Sequence, residues 1–132
     1  MYLIFDTETT GKIESWKAPV TDFELFPRVV QLAWQLHDDM GELLEVKNYI
    51  IKPDGYTIPF NAEKIHGIST DRAEKLGIEL SIVLDEFKKD IARAKYAVGH
   101  NIEFDNKVMG AEYARANRND GLLELATLDT MK

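Results

Sequence analysis

Tyr2-Leu3-Ile4-Phe5-Asp6-Thr7-Glu8-Thr9-Thr10-Gly11 opens the chain with four apolar residues that stop at an acid and a polar cluster. A short continuous apolar run of this kind reads as a central strand covered on both faces, so chemistry is expected at its carboxyl end, where the acids begin. The period of two along a strand puts Asp6 and Glu8 on the same side. Two carboxylates held together repel unless a proton or a cation intervenes, and hard divalent ions such as Mg²⁺ and Mn²⁺ prefer such oxygens. Acid pairs at strand ends are also common surface features, so the pair alone leaves both readings open.

Working outward, residues 11–28 contain Trp16, Pro19, Phe23, Phe26 and Pro27 with no steady period, and they read as a long ordered loop. Long loops inside compact domains usually serve function. Residues 29–37 and 43–51 are apolar and β-branched, and they flank Asp38-Asp39-Met40-Gly41-Glu42, which predicts a hairpin. A loop from Pro53 to Pro59 leads to a short helix over 61–65 that breaks at His66-Gly67. Ser69 caps a brief helix ending near Gly77, and Ser81 is placed to cap a longer one with Leu84, Phe87, Ile91 and Ala94 on one face. Tyr96-Ala97-Val98-Gly99 reads as a short buried strand, and Asn101 as the cap of a helix with Phe104, Val108 and Ala111 inward. Residues 122–130 lead into a last strand. This order predicts an α/β fold built on a mixed sheet, its first three strands antiparallel and its later strands parallel, entered through helical crossovers. A flavodoxin-like doubly wound sheet would need a helix directly after the first strand, where the loop and hairpin stand instead.

With 132 residues, 45% hydrophobic and 30% charged, the chain fits one domain over 1–132 with a sizeable core. Its 16 Lys and Arg against 23 Asp and Glu leave a net charge of −7, so it lacks the basic footprint of a protein that grips nucleic acid by charge alone. Cations must help if it handles DNA or RNA. The absence of cysteine excludes disulfides, thiolate nucleophiles and Cys-ligated metals, leaving oxygens or His37, His66 and His100 as ligands. No apolar run approaches the roughly 20 residues of a membrane span, and no basic segment precedes the opening run, so no membrane partner and a cytoplasmic location are expected.

A further acid, Asp105, stands in Val98-Gly99-His100-Asn101-Ile102-Glu103-Phe104-Asp105, another strand-to-helix junction. If this strand lies beside the first, Asp105 can face Asp6. In isolation Asp105 equally suits a first-turn acid on the helix dipole, and Asn101 a plain helix cap.

Taken together, Phe5-Asp6-Thr7-Glu8-Thr9-Thr10-Gly11 and Gly99-His100-Asn101-Ile102-Glu103-Phe104-Asp105 resemble the first and second exonuclease motifs of the DEDD superfamily. Within it they resemble especially the proofreading (epsilon) subunit of bacterial replicative DNA polymerase. Ile65-His66-Gly67-Ile68-Ser69, between them, is similar to the family's His-Gly-Ile-Thr segment. The resemblance implies a ribonuclease H-like sheet flanked by helices. It also implies hydrolysis of single-stranded DNA, or RNA, from the 3′ end to nucleoside 5′-monophosphates, in proofreading or repair. Carried over residue by residue, Asp6, Glu8 and Asp105 become ligands of two Mg²⁺ or Mn²⁺ ions. Thr9, Thr10 and Gly11 would meet the terminal nucleotide, and His66, Asn101 and Phe104 would line its pocket, although an aromatic in a helix's first turn equally suits the core. In the loop, Trp16 could stack on an unpaired base and Lys17 and Arg28 could meet phosphate, or Trp16 could simply pin the loop.

The family's third motif, a His or Tyr followed by a fourth acid, has no counterpart after Asp105. Asp129-Thr130 is similar to the Asp-Thr that precedes it. The expectation is a C-terminally truncated domain lacking the general base and the fourth ligand, and therefore nearly inactive by itself. One sheet face would be left uncovered, inviting self-association or a partner such as a polymerase subunit. The alternative is a catalytically inactive module that binds nucleic acid or docks on a polymerase. A phosphatase or receiver-like acid pocket explains neither His66-Gly67 nor Asn101 to Asp105.

Overall fold

In the computed structural model, which describes residues 1–131, β1 (Tyr2–Thr9) buries Leu3, Phe5 and Thr7 and turns Ile4, Asp6 and Glu8 to the opposite face. β1 pairs antiparallel with β2 (Val29–His37), Phe5 opposite Trp34, and β2 pairs in the same way with β3 (Leu43–Ile50). The hairpin is closed by Asp38, whose Oδ1 accepts from the N–H groups of Met40 and Glu42, both at 2.9 Å, while Gly41 takes the left-handed conformation at φ 85°. On its other edge β1 runs parallel to β4 (Tyr96–Gly99), and β4 runs parallel to β5 (Ala126–Asp129). The order β3-β2-β1-β4-β5 makes a ribonuclease H-like mixed sheet in which the first three strands are antiparallel and the later ones parallel.

Four helices complete the fold: α1 (Phe60–His66), α2 (Thr70–Leu76), α3 (Leu80–Arg93) and α4 (Ile102–Arg115). Gly67 stops α1 in the left-handed conformation, and the Ser69 hydroxyl accepts from the Arg72 N–H at 3.0 Å at the start of α2. α3 begins one residue before Ser81, at Leu80 after Glu79, with no side-chain cap. Its burial sets that start, because Val83, Leu84, Phe87 and Ile91 all face the sheet. The Phe87 ring meets Phe5 at 5.2 Å and Trp34 at 4.9 Å, and Trp34 Nε1 donates to the buried Asp90 at 2.8 Å. α4 adds Val108, Met109 and Ala111 to the same core.

β1 is covered on one face only, not on both as its continuous apolar run suggested. Leu3, Phe5, Leu32, Trp34 and Leu36 lie under α3 and α4, but on the other face Ile4 is 37%, Val46 57% and Leu128 45% exposed. β1 is central yet alternates, because the layer that would cover this second face is not supplied by any element along its middle among the described residues. Tyr2 and Tyr96 stack on each other there at 5.2 Å.

Residues 11–28 form an ordered loop containing a 3₁₀ turn over Phe23–Leu25. Ile13 and Phe26 are buried, the Thr10 N–H donates to the Arg28 carbonyl, and the Glu14 N–H donates to the Leu25 carbonyl, both at 2.9 Å. No helix among the described residues is long and apolar enough to cross a membrane.

Candidate active site

β1 and β4 are parallel neighbours, so their carboxyl ends share one edge of the sheet, and α4 starts just beyond β4. Their ladder runs only as far as Ile4 opposite Val98. Beyond that point the strands part, and the β1 backbone facing β4 needs a different partner. Asp105, in the first turn of α4, supplies it. Its Oδ1 accepts from the Thr7 N–H at 3.2 Å and from the Thr7 hydroxyl at 2.5 Å. Thr7 lies between Asp6 and Glu8, so the residue that holds Asp105 is flanked by the two acids of the opposite face.

The electrostatics follow from this placement. Asp105 is 3% exposed, and its carboxyl is pushed up to about 7, first by burial and further by the negative charges of Asp6 and Glu8. The two hydrogen bonds from Thr7 pull the other way. None of the three carboxylates has a Lys, Arg or His ion-pair partner among the described residues. Uncompensated carboxylate oxygens in a chain without cysteine are a donor set of the kind that hard divalent ions take. In this conformation no three Asp, Glu or His side chains among the described residues gather tightly enough to coordinate one ion. Asp6 looks into a shallow cleft of about 650 Å³ on the uncovered face, together with Ile4, Ala33, Val46 and His100.

The other predicted residues are engaged as follows. The Thr9 hydroxyl donates to the Gly11 carbonyl at 2.8 Å, and the Thr10 hydroxyl accepts from the Arg28 N–H at 3.0 Å, so both shape the turn out of β1. Gly11 is exposed, with open space where a side chain would stand. His66 ends α1; its Nδ1 accepts from the Ile68 N–H at 3.1 Å, its Nε2 is buried without a partner, and no hydrogen bond ties it to the three acids. Asn101 precedes α4 but does not cap it with its side chain. Its backbone is left-handed at φ 61°, and its N–H donates to Asp129 Oδ1 at 3.0 Å. Phe104 is half-buried, packed on the core and 6.2 Å from the Trp16 ring.

Arg28 is not a free cation. Its Nε donates to Glu112 at 3.1 Å and its guanidinium lies 4.5 Å over the Tyr56 ring, so the expected phosphate contact gives way to an internal one. Glu112 is wholly buried and also accepts from the Val29 N–H at 2.9 Å and from Arg115 at 2.8 Å. Arg115 in turn donates to the carbonyls of Phe23 and Phe26 at 2.6 and 2.7 Å, which fastens the long loop to α4. Sequence reasoning missed this clamp and the role of Thr7. Each had a signal: Glu112 falls on the stripe of α4 that carries Val108 and Ala111, and strand alternation alone turns Thr7 away from its acidic neighbours.

The sequence model of the Exonuclease family matches residues 3–132. Among solved structures, the chain is similar to Escherichia coli exonuclease I in complex with a dT13 oligonucleotide, with 21% identity and a TM-score of 0.77 over 97% of this chain and 27% of that one. It is likewise similar to an ExoI/SSB-Ct complex, with 20% identity and a TM-score of 0.75 over 97% of this chain and 28% of that one. A product-bound exonuclease I gives 21% identity and 0.77 over 97% and 29%. At these identities the likeness is one of fold, and the chain spans less than a third of the length of each match. A search of curated proteins gave no significant match.

Proposed function

The chain belongs to the Exonuclease family, and from that premise we propose that it is the nuclease domain of a metal-dependent 3′–5′ exonuclease acting on single-stranded DNA, in proofreading or repair. The observation that carries this reading is Asp105 held on Thr7, between Asp6 and Glu8, at the shared end of two parallel strands, with no ion-pair partner for the three acids among the described residues. Asp6, Glu8 and Asp105 would hold two Mg²⁺ or Mn²⁺ ions. Bound there, such ions would supply neutralisation of charge on a scissile phosphate and a more acidic water. In the hydrolysis so served, the water oxygen would bond to phosphorus as the bond to the 3′ oxygen breaks, a proton from the water would end on that 3′ oxygen, and a nucleoside 5′-monophosphate would leave a strand shortened by one residue.

The chain's own residues bind and orient. Thr7 fixes Asp105 against β1, and the turn at Thr9, Thr10 and Gly11 presents backbone to the terminal nucleotide. Asn101 and Phe104 stand beside Asp105 at the start of α4, and His66 completes the proposed pocket. With a net charge of −7, substrate binding depends on the cations. The general base and fourth acid that the resemblance calls for have no counterpart in residues 1–132, so turnover by this chain alone is expected near background. A catalytically inactive binding or polymerase-docking module is the rival reading, favoured by the lack of a closed three-acid set among the described residues.

The test uses a 5′-labelled single-stranded oligonucleotide with Mg²⁺ or Mn²⁺, assayed for binding with this chain and for shortening with the product of the whole reading frame that encodes it. A ladder that shortens from the 3′ end, lost on adding EDTA and in Asp6→Ala, is the expected result. Cleavage that survives EDTA, or Asp6→Ala at wild-type rate, refutes the mechanism. Binding with no hydrolysis by the whole gene product selects the inactive module.

A further inference from the structure

The loop after β1 holds one aromatic ring in the open. Trp16 is 42% exposed, whereas Ile13 and Phe26 of the same loop are buried. Lys107 on α4 lies 5.3 Å from the centre of the indole and donates its Nζ to the Trp16 carbonyl at 2.5 Å. The Phe104 ring, one turn earlier on the same helix, stands 6.2 Å from the indole in a tilted arrangement. Trp16 is therefore held in a set orientation by the first turns of α4, the segment that carries Asp105. Pinning the loop does not account for this exposure, because Ile13, Phe26 and the two hydrogen bonds from Arg115 already do that.

Charge points the same way. In a chain of net charge −7, Lys12 and Lys17 of the same loop are exposed and form no ion pair among the described residues, while Lys107 beside the ring pairs with Glu103 at 3.1 Å. An exposed, pre-oriented aromatic on a loop that also carries free cations is how proteins take single strands without reading sequence, since every base offers a π-face and the cations follow the backbone. A tryptophan suits this use because it has few rotamers to lose, and here Lys107 and Phe104 hold it in advance.

We propose that Trp16, backed by Phe104 and Lys107, is a stacking platform for one unpaired base of a single-stranded nucleic acid whose end lies at Asp6, Glu8 and Asp105, with Lys12 and Lys17 meeting the adjacent phosphates. The proposal rests on the reading of this chain as a nuclease domain acting on single strands. It adds the residue that selects unpaired bases, since a base stacked inside a duplex has no free face to offer.

The chain's two tryptophans make the test direct, because Trp34 is 2% exposed and Trp16 supplies the solvent-sensitive emission. A dT oligonucleotide titrated with Mg²⁺ into this chain is expected to quench that emission along the same curve as the anisotropy of a labelled strand. Abasic substitutions stepped inward from the 3′ end should abolish the quench at one position only. Trp16→Leu, which keeps apolar cover on Phe104, should weaken binding roughly fivefold to 150-fold, the range spanned by stacking one base. Lys12→Ala and Lys17→Ala should each flatten the dependence of log K on log salt by about 0.7. If the strand binds with Mg²⁺ but emission stays constant and Trp16→Leu binds like wild type, the platform is overturned and the nuclease reading stands. If wild type shows no Mg²⁺-dependent binding at all, both fall together.

Discussion

Glu112→Ala should cost more stability than any other single change to the residues that frame the acids. The carboxylate is 0% exposed, and its oxygens accept from Arg28 Nε at 3.1 and 3.3 Å, from the Val29 N–H at 2.9 Å and from Arg115 Nη1 at 2.8 Å. Truncation leaves the buried Val29 N–H without a partner, at about 1–3 kcal/mol. It also strands two guanidinium groups whose side chains are only 25% and 16% exposed. Breaking one partner of a buried ion pair costs about 3–5 kcal/mol in total, and the stranded N–H is part of that figure. Glu112→Gln keeps the volume and one acceptor, so about half the loss is expected. The assay is urea unfolding followed by the emission of Trp34, with the slope on denaturant unchanged. Because Thr10 and Arg28 pair across the base of the loop, the weaker clamp should also speed amide exchange at Thr10. A loss below about 1 kcal/mol for Glu112→Ala, or equal losses for Ala and Gln, would refute the view that this network holds the loop.

Three further outcomes are expected. The Asp105 carboxyl is raised from 3.8 to about 7, first by burial, so the fold holds its proton more tightly than the unfolded chain. That contribution is fully present below about 4 and is lost as pH rises through 7. In EDTA, Asp105→Asn should therefore be more stable than wild type at pH 8 by up to about 4 kcal/mol and equal to it near pH 4, and a gap that does not change with pH would contradict this. Thr7→Val removes the hydroxyl donated to Asp105 and should cost about 1–2 kcal/mol at pH 8, checked in the same unfolding assay. The uncovered sheet face should drive concentration-dependent self-association in gel filtration with light scattering. Val46→Glu, placed where Val46 is 57% exposed, should return the chain to monomer at unchanged melting temperature, and a wild type that is monomeric at every concentration rules the idea out.

Much of the fold was legible because it rests on local chemistry. The turn at Asp38–Glu42, the stop at Gly67, the cap at Ser69 and the apolar stripe of α3 are each written in a few adjacent residues. What was not legible depends on partners far along the chain. Ser81 is a good capping residue, yet packing of Val83 and Leu84 starts the helix at Leu80. Asn101 also suits a cap, but its N–H is claimed by Asp129, and it adopts the left-handed conformation that asparagine tolerates better than most residues. Arg28 looked available to phosphate because nothing in its neighbourhood reveals an acid on α4. The apolar run Tyr2–Phe5 cannot tell a strand covered on both faces from one covered on a single face, since apolar residues at every position satisfy both.

The placement of the three acids follows from the sheet itself. Parallel strands joined by a crossover must separate where the second strand turns into its helix, and here β4 ends at Gly99, level with Phe5. Past that level the Thr7 N–H faces a gap, and a buried donor in a gap needs an acceptor from the incoming helix. An acid in the first turn of α4 is favoured there by the helix dipole and reaches the donor at 3.2 Å. Alternation then requires that the neighbours of Thr7 point to the other face, so acids at 6 and 8 stand on either side of the residue that Asp105 grips. Moving Asp105 by one residue along α4 would rotate it away by about 100°. The spacing between the two motifs is long, but the geometry that joins them is one strand-end gap and one helical turn.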